Sequence, residues 1–161
     1  KEPLEMLVDW AREVYQELTG TFNEQEEFNK DHAGLKNKSQ KSRLCTHKNE
    51  KDKLHEMFVV HTKDYSVRPH YHLNKSESLY VLHGSANLLI FNNSGKITKK
   101  IQLGTLNSGK TVYYRIQQKV IHSLEIKSRY LVFHEVTIGP FKKKYTVYKN
   151  LKAKFCKKKF L

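Results

Sequence analysis

Residues 70–84 read HYHLNKSESLYVLHG. His70 and His72 are separated by one residue, so on an extended strand both imidazoles leave the same face, about 6.6 Å apart along the chain. Four residues separate His72 from Glu77, which is enough chain for a turn that brings a carboxylate toward the pair. Imidazoles and a carboxylate held on a rigid sheet suit a divalent transition metal, so the sequence predicts a site for Zn, Fe, Mn, Ni or Co with positions left open for water or substrate. The predicted ligands are His70, His72, Glu77 and His122, the last on a later strand.

Short apolar runs that alternate with turn residues surround this stretch. Seven runs are predicted as strands: Met57–His61, Leu79–His83, Asn87–Phe91, Ile97–Leu103, Thr111–Ile116, His122–Ile126 and Tyr130–Val136. Asn92 to Gly95 has the residue types of a hairpin turn. Regularly spaced strands without helices between them favour an antiparallel sandwich or barrel. The predicted fold class is therefore mostly β.

The two ends of the chain differ from this middle part. Apolar residues at the spacing of one helical face predict an amphipathic N-terminal helix: Leu4, Leu7, Val8, Ala11, Val14, Tyr15 and Leu18. We divide the chain into a helix and polar linker over residues 1–42, a barrel over 43–141 and a lysine-rich tail over 142–161. The tail either returns to a sheet edge or lies outside the fold.

The charge is unevenly distributed along the 161 residues, which carry a net charge of +14. Residues 1–31 hold nine acids and three bases, residues 32–141 hold 18 bases and seven acids, and residues 142–161 hold nine lysines and no acid. A positive potential attracts phosphates, and it also keeps a protein in solution. A specific nucleic-acid partner is not predicted, because there is no recognition helix and no alternation of basic and aromatic residues on one sheet face.

The sequence also bears on the compartment. No run of 18 apolar residues predicts a membrane span, and no basic stretch leads into an apolar one as in a signal peptide. Two cysteines, Cys45 and Cys156, are too few for a disulfide scaffold. We therefore expect a cytoplasmic protein.

The spacing of His70, His72, Glu77 and Gly84 resembles the first motif of the cupin superfamily, and His122 stands where the second motif places its histidine. A longer string resembles the WbuC-type cupin metalloproteins found among O-antigen biosynthesis genes: Arg43-Leu44-Cys45-Thr46-His47, His55-Glu56-Met57, Arg68-Pro69-His70-Tyr71-His72, Tyr114-Arg115-Ile116, and Glu135 with Gly139-Pro140-Phe141. The resemblance covers roughly residues 41–141. It implies a cupin jelly-roll β-barrel with a metal at its centre.

The chain departs from the second cupin motif around His122. Gln117 and Lys119 stand where the family usually has Pro and Gly, and Ile126 replaces the usual Asn. The turn that leads into His122 is therefore expected to be reshaped.

The resemblance also singles out candidate substrate-binding residues. Arg43 and Arg68 belong to the matching string, and the planar guanidinium group suits carboxylate or phosphate. Together with Tyr80 they are the predicted substrate-binding residues.

Glu135 and His47 are the predicted catalytic residues. His134 and Glu135 alternate on one strand, so only one of them can face the barrel interior. We favour Glu135 for that position, where it would act as an acid or base or support the metal ligands.

The resemblance implies a metal-binding cupin that binds or acts on a sugar-like, anionic small molecule. The expected substrate is a carbohydrate or nucleotide-sugar intermediate of surface polysaccharide (O-antigen or lipopolysaccharide) biosynthesis, with isomerase-like or epimerase-like Lewis-acid chemistry. Two alternatives stay open: a cupin that binds a small ligand without catalysis, and an iron-dependent dioxygenase-type cupin. Because cupin barrels commonly pair through their sheets, the resemblance also suggests a homodimer.

Overall fold

The computed structural model describes Asp9 and residues 41–151. Residues 41–151 form ten strands: β1 Lys41–Cys45, β2 Leu54–Thr62, β3 His70–His72, β4 Glu77–His83, β5 Ser85–Phe91, β6 Ile97–Gly104, β7 Tyr113–Ile116, β8 Ile121–Ile126, β9 Tyr130–Ile138 and β10 Thr146–Tyr148. A single 3-10 turn, Lys143–Tyr145, precedes β10. The predicted N-terminal helix lies outside the described residues apart from Asp9, and so does the linker up to residue 40.

The strands form two five-stranded sheets, whose strand orders are β1-β2-β9-β4-β7 and β10-β3-β8-β5-β6. We call them the first and second sheet. All pairings between the named strands are antiparallel. The sheets lie face to face around one hydrophobic core, so the predicted mostly β jelly-roll is confirmed.

Alternation along each strand decides which side chains enter the core. In β4, Leu79 and Val81 are buried between the sheets, whereas Tyr80 points to the opposite face and is 38% exposed. In β5 and β8, Leu88 and Leu124 meet across the pair and contribute to the same core. Glu77 is on the same face of β4 as Leu79, so its carboxylate is directed into the interior.

All seven runs predicted as strands are strands in the structure. Three short strands have no counterpart among those runs: β1, β3 and β10. The strands extend from Lys41 to Tyr148, which is slightly wider than the expected barrel of residues 43–141. In the described part of the tail, Thr146–Tyr148 forms the edge strand β10, which pairs with β3.

The predicted hairpin turn joins β5 and β6. The backbone N–H of Asn92 donates to the carbonyl of Lys96 at 3.0 Å, and that of Gly95 donates to the carbonyl of Asn92 at 3.0 Å. Gly95 has a φ of +84°, a conformation that glycine adopts without a steric penalty. The turn therefore has the chemistry that the sequence indicates.

Within the described residues, no helix is long and apolar enough to cross a lipid bilayer.

Candidate metal centre

Three histidines and one glutamate converge between the two sheets. His70 and His72 lie on β3 and His122 on β8 of the second sheet, whereas Glu77 lies on β4 of the first. Each of the four offers one ligand atom, and these atoms all lie within 4.8 Å of one another. His72, Glu77 and His122 are buried, and His70 is partly buried. The residues that the spacing predicts are therefore brought together in a cluster that could hold a metal ion.

The strand pairing explains why the imidazoles meet. His70 is the cross-strand partner of His122, and their ring centroids are 4.4 Å apart. Cross-strand partners point to the same face of a sheet, and so do residues two apart on one strand. His72 therefore joins the pair, with its ring centroid 5.2 Å from that of His70.

Backbone carbonyls orient two of the imidazoles. The Nδ1 of His70 lies 2.8 Å from the carbonyl oxygen of Arg68, and the Nδ1 of His122 lies 2.9 Å from that of Val120. A carbonyl oxygen only accepts, so each Nδ1 carries a hydrogen and donates it. In the neutral rings Nε2 then keeps its lone pair, which is the form of histidine that binds metals.

His72 is held from both sides. Its Nδ1 is 3.1 Å from Oγ1 of Thr146 on β10, and its Nε2 is 3.0 Å from Oε2 of Glu77. The other oxygen of Glu77, Oε1, lies 2.8 Å from Nε2 of His122. Both carboxylate oxygens thus contact imidazoles, and Glu77 would share an ion with them if one were bound.

The electrostatics of the cluster follow from burial and from these contacts. Burial, with the neighbouring His122, lowers the pKa of His70 to about 4, so this imidazole is neutral at pH 7. Burial alone would raise the pKa of Glu77, but the imidazoles of His122 and His72 hold it well below its usual range. Burial alone would lower the pKa of His122, but the Glu77 carboxylate outweighs it and raises that pKa. The donor set is a carboxylate with three imidazoles, which fits a divalent transition metal.

The turn before His122 contains a left-handed residue that is not glycine. Lys119 has a φ of +64°, in the left-handed region that glycine favours, and its N–H donates to the carbonyl of His72 at 2.7 Å. A left-handed lysine costs about 1 kcal/mol of backbone strain. The hydrogen bond to His72 connects this turn to β3, the strand that carries His70 and His72.

Glu135 faces the interior. Its cross-strand partners are Met57 on β2 and Leu79 on β4, and both belong to the core. His134 lies on the outer face against Phe58, with a ring-centroid distance of 5.0 Å. The structure thus places Glu135, rather than His134, on the same side of the first sheet as Glu77.

Two cations act on Glu135. Burial and the nearby Glu77 carboxylate raise its pKa to about 7, whereas Arg43 and Lys75 lower it. Arg43 is the partner of Val59, so it lies on the inner side of β1 although it is exposed. Lys75 belongs to the loop between β3 and β4 and is partly buried. The positive charges of Arg43 and Lys75 therefore act on the carboxyl group of Glu135.

Arg68 lies two residues before His70, the first residue of β3. It is exposed, its guanidinium carbon lies 4.8 Å from the ring centroid of Tyr148, and its Nη2 donates to Oδ1 of Asn150 at 3.4 Å. Tyr148 in turn lies 5.7 Å from His70 between ring centroids. Arg68 is thus separated from the histidine cluster by one aromatic ring.

The structure does not bring Tyr80 or His47 into the cluster. Tyr80 lies on the outer face of the first sheet, opposite His134 and Tyr113. His47 stacks on His55 with ring centroids 4.0 Å apart, and its Nδ1 is 3.1 Å from the carbonyl oxygen of Glu56. A substrate-binding Tyr80 and a catalytic His47 stay predictions.

His61 is a buried histidine outside the metal cluster. Burial, aided by Arg43 and Lys41, lowers its pKa to about 3. The unfolded chain then binds more protons than the folded one, so this group lowers stability as the pH falls from 6.5 toward 3, by about 1.4 kcal/mol per pH unit. We expect the free energy of unfolding, measured with urea at pH 7 and pH 4.5, to fall by about 2 to 3 kcal/mol less in His61→Phe than in the wild type.

The matched control for His61 is His83→Phe, which removes an exposed imidazole at the end of β4. It should keep the pH dependence of the wild type. Equal pH dependence in His61→Phe and the wild type would contradict a neutral, buried His61.

Some groups of the site have no recognisable signal in the sequence. Lys75 stands inside the motif loop between His72 and Glu77, but a lone lysine in a lysine-rich chain carries no signal of its own. Thr146, which contacts His72, lies in the tail, and the sequence leaves open whether the tail returns to a sheet edge or lies outside the fold. The carbonyls of Arg68 and Val120 belong to the backbone, and each stands two residues before the histidine that it orients.

The fold and the cluster define a cupin-fold protein with a candidate metal centre. Residues 30–103 match a family described as a domain of unknown function (DUF6016). A search of curated proteins gives no match to this sequence.

Two of the solved structures to which this chain is similar share its fold with a TM-score above 0.5. Protein SO0799 from Shewanella oneidensis is 12% identical with a TM-score of 0.56, over 67% of this chain and 73% of that chain. Oxalate decarboxylase from Bacillus subtilis is 16% identical with a TM-score of 0.52, over 67% of this chain and 27% of that chain. Procruciferin, the 11S globulin from Brassica napus, is 18% identical with a TM-score of 0.46, over 55% of this chain and 21% of that chain. The chain thus spans about a fifth of the globulin and about a quarter of the decarboxylase.

Proposed function

We propose that the protein is a metal-dependent cupin that isomerises or epimerises an anionic carbohydrate. The observation that carries the proposal is the position of Glu135 on the interior face of the first sheet, the face from which Glu77 meets the imidazoles of His70, His72 and His122. A group that takes up and returns a proton beside a metal is the arrangement that such a reaction needs.

The cluster residues would hold the metal through the Nε2 atoms of the histidines and the carboxylate of Glu77. When bound, a divalent metal supplies Lewis-acid polarisation of a carbonyl or hydroxyl group of the substrate. Glu135 would accept the proton from the carbon next to that group. Isomerisation follows when it returns the proton to a neighbouring atom, and epimerisation follows when water protonates the opposite face of the same carbon and Glu135 releases its proton to the hydroxide. Because its pKa is raised to about 7, it can both accept and donate near neutral pH.

Arg43 and Lys75 set the substrate class. Both lower the pKa of Glu135, which means that both positive charges act at the position of its carboxyl group. A carboxylate or phosphate on the substrate would pair with them, and the guanidinium of Arg43 can bind such a group with two hydrogen bonds. Uronic acids, sugar phosphates and nucleotide sugars carry a group of this kind.

The resemblance to WbuC-type cupins supports a role in surface polysaccharide biosynthesis, which stays a prediction together with the cytoplasmic location and the homodimer. Non-catalytic ligand binding and iron-dependent dioxygenase chemistry remain the alternatives, because the same ligand set serves both.

The experiment that tests the proposal is proton exchange in deuterated water. Metal-loaded protein is incubated with a panel of uronic acids, hexose phosphates and nucleotide sugars, and proton NMR follows deuterium incorporation at carbon. We expect exchange with at least one anionic sugar, and a loss of about 100-fold or more in Glu135→Gln, since proton transfer by a positioned group contributes about 10²–10⁴-fold. Glu56→Gln, which changes a carboxyl group that lies 4.0 Å from His134 on the outer face, should exchange at the rate of the wild type.

Other outcomes of this experiment would overturn the proposal. Ligand binding without exchange would favour the non-catalytic alternative. Oxygen uptake by the Fe(II)-loaded protein in the presence of a substrate would favour the dioxygenase.

A further inference from the structure

The first sheet has an apolar patch on the face that points away from the second sheet. We call it the outer apolar face and define it as Leu44 on β1, Phe58 and Val60 on β2, and Val132 on β9. Leu44 pairs with Phe58 and Val60 pairs with Val132, so the four side chains lie side by side on one surface. Their exposed fractions are 6%, 6%, 2% and 0% respectively.

The second sheet does not bury these side chains. Successive residues of a strand point to opposite faces, and the sequence neighbours of this patch, Met57, Val59, Leu131 and Phe133, belong to the core between the sheets. The outer apolar face is therefore buried from the other side of the first sheet.

The outer face of the first sheet is buried only in part. Tyr80 on β4 pairs with His134 on β9 and with Tyr113 on β7, so both tyrosines share the surface with Phe58. They are 38% and 52% exposed. The cover thus extends over β1, β2 and β9 and ends before β4 and β7.

We propose that the N-terminal segment Leu4–Leu18 covers the outer apolar face. The segment leads, through residues 19–40, into β1 at the edge of the first sheet. The other end of the chain departs from Leu151, which packs against Leu89, Phe91 and Ile121. That second cluster lies on the outside of the second sheet, so the N-terminal end is the one that reaches the first sheet directly.

The sequence of the segment matches the patch in size and in pattern. Fifteen residues of helix are about 22 Å long, and strands are about 4.8 Å apart, so a helix of this length crosses three strands with room to spare. Its apolar stripe supplies a continuous hydrophobic face: Leu4, Leu7, Val8, Ala11, Val14, Tyr15 and Leu18. A helix with such a stripe gains most of its stability from burying it against another element.

Charge and burial favour this occupant over a second copy. Residues 1–31 hold nine acids and three bases, whereas residues 32–141 hold 18 bases and seven acids, so the two parts attract each other. The low exposed fractions of the outer apolar face are those of one chain by itself, without a second copy. An intramolecular cover accounts for them without a dimer.

Disulfide cross-linking tests the contact in the full chain. In a Cys45→Ala, Cys156→Ser background, Val60→Cys is combined in turn with Leu7→Cys, Ala11→Cys or Leu18→Cys on the stripe. The control combines Val60→Cys with Gln16→Cys, which lies on the opposite side of the predicted helix. After mild oxidation we expect at least one stripe pair to form an intramolecular disulfide, at least about 10-fold faster than the control, because the bond requires Cα atoms within about 7 Å.

Two results would overturn the proposal. Covalent dimers in place of intramolecular bonds, at a rate that rises with protein concentration, would assign the face to a second copy. If none of the three stripe pairs forms a disulfide faster than the Gln16 control, the segment does not cover this face.

A second measurement does not depend on the cross-links. A single cysteine at Val60→Cys should react with a thiol reagent about 10-fold faster in Leu18→Asp than in Gln16→Asp, because an aspartate on the stripe would release the cover. Circular dichroism shows whether the barrel remains folded in both variants. Equal reaction rates in two folded variants would contradict the proposal.

Discussion

Replacing His122 by alanine is expected to lower the affinity for a divalent transition metal by at least about 100-fold, because one of four converging donors is lost. His122 is 2% exposed, and the carbonyl of Val120 holds its ring in a fixed orientation, so its Nε2 atom is directed at the cluster before any metal binds. The measurement is metal content after purification from metal-replete cells, followed by titration of the metal-free protein with Zn, Mn, Fe, Ni and Co. His72→Ala should have the same effect.

The matched control is His83→Ala. His83 is also a histidine near the end of a strand, but it is exposed and lies outside the cluster. It should retain the metal content of the wild type. A wild-type protein that binds no divalent metal, or a His122→Ala variant that binds it as tightly as the wild type, would contradict the candidate metal centre.

Metal removal should also lower stability. A ligand that binds only the folded state adds about 4 kcal/mol when its free concentration is 1,000 times Kd. The thermal midpoint of the wild type should therefore fall on chelation, and that of His122→Ala should fall by much less, because weaker binding stabilises the folded state less.

Gly84→Ala is expected to destabilise the fold by about 3 kcal/mol or more. Gly84 joins β4 to β5 with a φ of +79°, and a Cβ placed there would overlap the backbone oxygen of Tyr130 and the hydroxyl of Ser128. The backbone of Tyr130 belongs to β9, in the middle of the first sheet, and it cannot move without disturbing its partners. Urea unfolding measures the loss.

Gly109→Ala is the matched control. Gly109 also has a positive φ, +69°, but a Cβ there meets nothing within 4 Å. It should cost only about 1 kcal/mol, the penalty for the backbone conformation alone. Equal losses in the two variants would mean that the close approach to Tyr130 has no energetic consequence.

The sequence was sufficient for seven of the ten strands and for the four residues that the structure brings together in the cluster, for a definite physical reason. Alternation with period two reports which residues of a strand share a face, so it predicts that His134 and Glu135 lie on opposite faces, and the structure has His134 outside and Glu135 inside. The spacing of His70, His72 and Glu77 encodes a strand, a turn and a second strand, which is how β3 and β4 are arranged. These are local properties that one chain segment carries by itself.

What the sequence did not reveal depends on distant parts of the chain. Strand β10 is only three residues long, and it is defined by its pairing with β3 rather than by its own composition. The side-chain direction of Tyr80 depends on the register of β4, whose alternation turns this residue to the outer face. Lys75 lowers the pKa of Glu135, which is 60 residues away in sequence, so its role depends on a distant part of the chain.

Two of the three imidazoles take their orientation from the peptide groups of residues 68 and 120. Every amino acid carries such a carbonyl, so the side chains at these two positions can change without loss of the ligand directions. What must be preserved is the path of the main chain before β3 and before β8. Mutations that bend this path would weaken metal binding more than mutations that merely exchange Arg68 or Val120 for another residue.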